Sequence, residues 1–237
     1  MNLINHIKKI VFPSRYSSEA YINYLRSKKV LIGNKVTIYS PMHTDIDIQR
    51  PWLIKIGDYC KITKGVTVLA HDYGVSVPRR VYGEFVGGGM PVNIGNNVFI
   101  GEKATILMGT NIGDNCIIGA NSLVKGDFPS NSVIAGNPAK VICTLEEYYN
   151  KQLNTWINNA RLCAQTIYKN SGHLPTVDEM TDAYAWLYLP RTKDTLEKYS
   201  RFFYLSSDEH EEIVNSFMKS KPQFESFEDF LETCGIE

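Results

Sequence analysis

Neither sign of charge predominates in this chain, in which 25 Lys and Arg balance 25 Asp and Glu over 237 residues. Without a net charge or a long basic run there is no electrostatic footprint for a phosphate backbone, so no nucleic-acid partner is expected. No apolar stretch approaches the length that spans a bilayer, so no transmembrane segment is expected. The first residues, MNLINHIKKIVF, have too short an apolar part and no small-residue cleavage site to read as a signal peptide, and a cytoplasmic location is expected. Histidine is scarce, at five residues. Cysteine is sparse too: Cys60, Cys116, Cys143, Cys163 and Cys234 show no CxxC spacing, which argues against a zinc or redox site and for reduced, structural thiols.

What the chain does have is a strict period. Ile94, Ile100, Ile106, Ile112, Ile118 and Val124 place a branched aliphatic at every sixth residue. Six fits neither the 3.6-residue helix nor simple strand alternation, so the unit is a strand plus a turn repeated along a solenoid. A second column follows four residues behind each aliphatic: Val98, Ala104, Thr110, Cys116 and Ser122, all compact enough for the inside of a narrow coil. Gly95, Gly101, Gly113 and Gly119 come directly after the aliphatics, at corners with little room for a side chain. The columns recur upstream as Ile56, Ile62 and Val68, and as Ile32 and Ile38. Eighteen positions separate Ile38 from Ile56, which suggests three hexads per triangular coil, each stacking on the next.

The pattern divides the chain into three. Residues 1–29 hold a short amphipathic helix over Ser18 to Lys28, expected to cap the open end of the coil. The parallel β-helix is expected over 30–142, with an excursion loop at 73–93 where the register disappears and Gly83, Gly87, Gly88 and Gly89 cluster. From 143 to 237 the period becomes 3.6, with Leu145, Tyr149, Leu153, Trp156, Ile157, Ala160, Ala164 and Ile167 in one stripe, predicting a helical extension. Thr176 with Glu179, and Ser226 with Asp229, have capping-box spacing. Trp186, Tyr188, Phe202, Phe203 and Tyr204 make this tail rich in aromatics.

The hexads IGNNVF, IGEKAT, IGDNCI and IGANSL, followed by AGNPAKVI at Ala135 to Ile142, resemble the hexapeptide-repeat acyltransferases, which have a left-handed parallel β-helix. The resemblance covers roughly Ile54 to Ile142. The stretch from Val68 through the loop to Gly101 looks most like sugar and capsular-polysaccharide O-acetyltransferases, relatives of maltose, galactoside and xenobiotic acetyltransferases. It implies an acetyl-CoA-dependent O-acetyltransferase acting on a sugar or surface-polysaccharide precursor, assembled as a homotrimer with sites between subunits and needing no metal.

The resemblance also assigns residues. His71, three positions past Val68 and just before the loop, matches the catalytic histidine, and its chemistry suits the role: an acceptor hydroxyl needs a base that titrates near neutrality. Asp72 is expected either to orient the imidazole or to bind the acceptor, and Tyr82 and Glu84 in the loop to contact the acceptor. For the donor, Phe99 stands where some relatives have tryptophan, Ala120 beside the pantetheine arm, and Lys140 where a base meets the nucleotide phosphates. Lys125 precedes Gly126 and Asp127 where relatives commonly read Thr-Lys-Asp, a shift of one residue for the lysine. His43 keeps a smaller claim, since an earlier coil could carry it near His71. Alternative readings are N-acetylation of an amino-sugar nucleotide, O-acetylation of an antibiotic, or a non-catalytic β-helix scaffold; a carbonic anhydrase on this fold would need three convergent histidines.

Overall fold

A computed structural model describes residues 9–72, 74–180, 183–199 and 209–236. Tyr73, Phe202, Phe203 and Tyr204 lie outside the described residues. The chain forms two compact units, Met1–Tyr148 and Tyr149–Glu237.

In the first unit the backbone visits three sheets in turn. The first sheet holds β1 (Leu31–Ile32), β4 (Ile54–Ile56), β7 (Val92–Ile94), β10 (Thr110–Ile112) and β13 (Asp127–Phe128). The second holds β2 (Thr37–Ile38), β5 (Lys61–Ile62), β8 (Phe99–Ile100), β11 (Ile117–Ile118), β14 (Ser132–Gly136) and β15 (Ala139–Thr144). The third holds β3 (Asp45–Ile46), β6 (Thr67–Val68), β9 (Thr105–Ile106) and β12 (Leu123–Val124). All pairs are parallel except β14 with β15. The strands are short because each hexad spends two residues on the strand and the rest on the corner.

Both sequence columns point inward. Ile94, Val98, Ile100, Ala104, Ile106, Cys116, Ile118 and Val124 are all buried in one continuous core. The polar members of the small column are satisfied locally: Thr110 Oγ1 donates to the carbonyl of Leu107 at 2.6 Å, and Ser122 Oγ to that of Gly119 at 2.7 Å. Burial pushes the Cys60 thiol up to about 11, so it stays protonated and inert at neutral pH.

Coil length departs from the sequence reading in the first turns. Ile38 pairs with Ile62 and Ile32 with Ile56, a step of 24 residues, so Ile38 and Ile56 belong to different sheets. The segments between β2 and β3 and between β3 and β4, the latter with a 3-10 turn at Pro51–Leu53, lengthen the corners. The 18-residue step holds just after the loop, where Ile94 pairs with Ile112, Ile100 with Ile118 and Ile106 with Val124, and the last step shortens to 16, with Ile112 on Phe128 and Ile118 on Ile134.

The corner glycines act through space rather than through backbone dihedral. A Cβ on Gly95 would meet the carbonyl oxygen of Gly113, one coil on, at 2.7 Å. The positive φ falls two residues later, on Asn97 (53°) and Asn115 (57°), and again on Asn131 (59°), two residues after Pro129. Asparagine tolerates that region, and here its side chain joins coils: Asn97 Nδ2 donates to Asn115 Oδ1 at 3.0 Å, and Asn115 Nδ2 to Asn131 Oδ1 at 3.1 Å.

Helix α1 (Ser18–Ser27) starts at Ser17, whose Oγ accepts the Ala20 N–H at 3.1 Å, and it adds Tyr21, Ile22 and Leu25 to the coil's core. The loop contains a second helix, α2 (Ser76–Tyr82), and the register resumes at Val92. At the far end β15 turns back on β14, and α3 (Leu145–Ser171) begins at a box unnoticed in the sequence, Thr144 with Glu147, bonded reciprocally at 2.8 and 3.1 Å.

In the second unit α3 contributes Ala160 and Ala164 to a core with Met180, Leu187, Tyr188, Phe230 and Cys234. The unit also contains a 3-10 turn at Tyr184–Leu187, α4 (Lys193–Lys198), α5 (His210–Lys219) and α6 (Phe227–Glu232). Ser226 caps α6, accepting from the Asp229 N–H at 3.0 Å. Thr176 and Glu179 form only half of the box: the Thr176 N–H and Oγ1 both donate to Glu179 Oε2 at 2.8 Å, while the Glu179 N–H donates to the Thr176 carbonyl at 3.1 Å, around a single turn rather than a helix start. The stripe on α3 is covered only in part: Tyr149 is 57% exposed.

Candidate active site

His71 sits three residues beyond β6, where the third sheet hands the chain to the loop. Its backbone pairs antiparallel with Gly89, so the outgoing and returning limbs meet there, and the Met90 N–H donates to the carbonyl of Ala70 at 3.1 Å. The close approach requires glycine: a Cβ at position 89 would lie 2.5 Å from that carbonyl and 2.8 Å from Nη1 of Arg50. Arg50 is therefore packed over the base of the loop, on the coil that also carries β3.

The imidazole is held by Asp47, a residue the sequence reading did not single out. His71 Nδ1 is hydrogen-bonded to Asp47 Oδ2, and the two side chains are only 9% and 2% exposed. Asp47 follows β3 directly, and β3 pairs with β6, so one coil of stacking brings residues 24 apart in sequence into contact. Burial acts to raise the Asp47 carboxyl, but the N–H groups of Gln49 (2.8 Å) and Ala70 (3.1 Å) and the His71 ring outweigh it and hold the group below its ordinary 3.8. Asp47 therefore stays an anion at neutral pH and accepts the Nδ1–H of His71, which fixes the ring's orientation and keeps a proton on Nδ1.

Asp72 does not orient the imidazole. Its Oδ1 accepts the Gly74 N–H at 2.7 Å, fixing the first turn of the loop, and the residue is exposed. Adjacent residues of an extended chain point to opposite sides, which is why His71 turns inward and Asp72 outward. Tyr82 and Glu84 are exposed on and after α2, Tyr82 at 77%. His43 precedes β3 while Asp47 follows it, so His43 stands at the opposite end of the third sheet from His71, with its Nδ1 2.9 Å from Ser40 Oγ.

The donor candidates fall at separate places on the coil. Phe99 lies on the outer face of the second sheet, where it lines a shallow hollow with Tyr59, Lys61 and Ile117. Ala120 and Lys140 share the corner between the second and third sheets, since the Gly119 N–H bonds the carbonyl of Ile134 and Lys140 pairs with Ala135. Lys125 follows β12 at the corner between the third and first sheets, in the same column as Leu69 and Leu107, and so on the corner from which the His71 loop departs. All three are exposed. Among the described residues no group of three His, Cys, Asp or Glu is arranged to hold a metal ion, and no helix is long and apolar enough to cross a membrane.

Residues 91–125 match the family model described as hexapeptide repeat of succinyl-transferase. Protein CapG of Staphylococcus aureus is 41% identical over 129 residues, which are 54% of this chain and 74% of that protein. Galactoside O-acetyltransferase of Escherichia coli (strain K12) is 40% identical over 98 residues, 41% of this chain and 47% of that enzyme, so the chain spans about half its length. Among solved structures, a maltose O-acetyltransferase from Clostridium difficile 630 aligns over 53% of this chain and 75% of its own, with 27% identity and a TM-score of 0.38.

Proposed function

The chain belongs to the hexapeptide-repeat acetyltransferase family, and from that premise we propose that it transfers an acetyl group from acetyl-CoA to a hydroxyl of a sugar or surface-polysaccharide precursor, with His71 as general base. The observation that carries the reading is the buried Asp47–His71 pair at the mouth of the loop. A hydroxyl is a poor nucleophile at neutral pH, and a histidine in one fixed tautomer is suited to take its proton as the oxygen attacks the thioester carbonyl. Nε2 is the atom that takes it; Asp47 is a positioning residue, acting through the ring. Backbone N–H groups would stabilise the oxyanion in a direct transfer with both substrates bound, without a covalent enzyme intermediate. The name of the galactoside relative supports a sugar acceptor.

The hand of the coil in this reading is left. The domains are the cap at 1–29, the catalytic coil at 30–142 and the extension from 143 to 237. The molecule is a cytoplasmic homotrimer with its sites between subunits, and the five free cysteines fit a reducing compartment. Acceptor contacts come from Asp72, Tyr82 and Glu84 on the loop. Phe99, Ala120, Lys125 and Lys140 contact acetyl-CoA, with Lys140 reaching its phosphates and backbone edges pairing the amide-rich pantetheine arm.

Calorimetric titration with acetyl-CoA, followed by transfer assays on a panel of sugars and sugar nucleotides, tests the proposal. Saturable binding at one site per chain is expected, with His71→Ala losing ~10²–10⁴-fold in turnover while acetyl-CoA affinity stays within about twofold of wild type. Normal turnover in that variant sinks the general-base role, and no acetyl-CoA binding returns the scaffold reading.

A further inference from the structure

The second unit contains a cavity of about 490 Å³ that the transfer chemistry does not use, within the ~300–1,000 Å³ range of small-molecule sites. One wall is a single face of α3, where Gln152, Trp156 and Asn159 recur at helical spacing. Trp186 forms another, fixed edge-on against Phe217 with ring centroids 5.1 Å apart. Arg191 and Lys221 also line it, and none of the lining residues is acidic.

Arg191 carries the argument furthest. Its Nε donates to Ser220 Oγ at 2.9 Å, Nη1 to the carbonyl of Leu189 at 2.6 Å and Nη2 to that of Trp186 at 2.7 Å, while the guanidinium lies 4.4 Å from the Phe217 ring centre. These acceptors are all neutral, and among the described residues no carboxylate comes within ion-pair distance. Burial lowers its pKa from the usual arginine value, the mark of a desolvated cation. A half-buried charge held only by dipoles is stabilised by an anion entering beside it. Lys221, exposed at the rim, adds a second cation without an ion-pair partner among the described residues.

We propose that this cavity binds an acidic saccharide, with the pyranose ring against the indoles of Trp156 and Trp186 and its carboxylate on Arg191 and Lys221. The ring's C–H faces are apolar and pack on aromatic planes. Its hydroxyls both donate and accept, as do the amides of Gln152 and Asn159. A guanidinium recognises a planar carboxylate with directed hydrogen bonds. A nucleotide would also stack on indole, but the lining contains no glycine loop of the kind that cradles phosphate with backbone N–H groups. The inference rests on the pocket alone and stands whether or not the coil unit transfers acetyl.

Tryptophan fluorescence of the full chain tests it. The chain has three tryptophans, so Trp52→Phe leaves Trp156 and Trp186 as reporters. Titration with glucuronate or galacturonate should give saturable quenching, at least tenfold tighter than glucose and weakened by salt. Lys221→Gln should weaken it several-fold with an unchanged circular dichroism spectrum, and Arg191→Gln should weaken it further if that variant folds. No saturable response to either uronate overturns the proposal. So does equal binding of glucose, equal binding of inorganic phosphate or uridine monophosphate, or an affinity that Lys221→Gln does not change.

Discussion

A carboxylate taken out of water beside an imidazole is held as an anion only by the hydrogen bonds it accepts, and Asp47 accepts them from Gln49, Ala70 and His71. With its folded pKa below 3.8, the stability it contributes is present in full above that value and is lost as pH falls through the lower folded one. Acid unfolding followed by circular dichroism should therefore lose part of its slope below about pH 4 in Asp47→Asn, and an unaltered slope would show that Asp47 carries none of it. The same variant should lower kcat by up to ~10⁴-fold, the size of effect an orienting aspartate has in a serine-protease triad, while the Kd for acetyl-CoA holds; a loss of both together would mean a structural role only. His71 was nominated by the sequence because motif position and chemistry agree on it. Asp47 was not, because its partner lies one coil away and the coil there is longer than the repeat suggests. Its one signal was an acidic residue directly after Ile46, in the column that Leu69, Leu107 and Lys125 continue. For Asp72 the sequence left orienting the ring and binding the acceptor both open, and its Oδ1 instead accepts the Gly74 N–H.

At the scale of the element, the hexad reports burial faithfully and coil length unevenly. The inward columns followed from period alone, since each aliphatic must stack on the next, whereas the register resumes at Val92, inside the 73–93 that the period assigned to the loop. The 24-residue early coils did not, because extra residues in a corner leave the periodic positions intact and simply delay the next strand. Ile100→Ala, deep in the second sheet, should destabilise by about 2–5 kcal/mol in urea unfolding. Gly95→Ala should destabilise too, although it adds rather than removes a methyl group, because the new Cβ meets backbone of the next coil at less than contact distance. A neutral result for Gly95→Ala would show that the corners have slack. In the tail, the spacing of Thr176 and Glu179 gives a turn rather than a helix start, with the Glu179 carboxylate accepting from the Thr176 N–H and hydroxyl and the Glu179 N–H going to the Thr176 carbonyl.

For the whole molecule, the proposed trimer predicts a light-scattering mass near three times the 26.8 kDa of the chain, unchanged by dilution across the micromolar range; a monomer would move the transfer site onto a single chain. A stack of identical turns contains no internal instruction about when to stop. Here the stops are local: α1 adds Tyr21, Ile22 and Leu25 to one end of the core, and β15 reverses on β14 at the other. Between them, register is kept turn by turn through ladders such as Asn97, Asn115 and Asn131. The length of the coil is thus a variable that evolution can change in whole turns, by duplication or excision of 18 residues, while both terminators and the Asp47–His71 pair, confined to the early turns, keep their own neighbours.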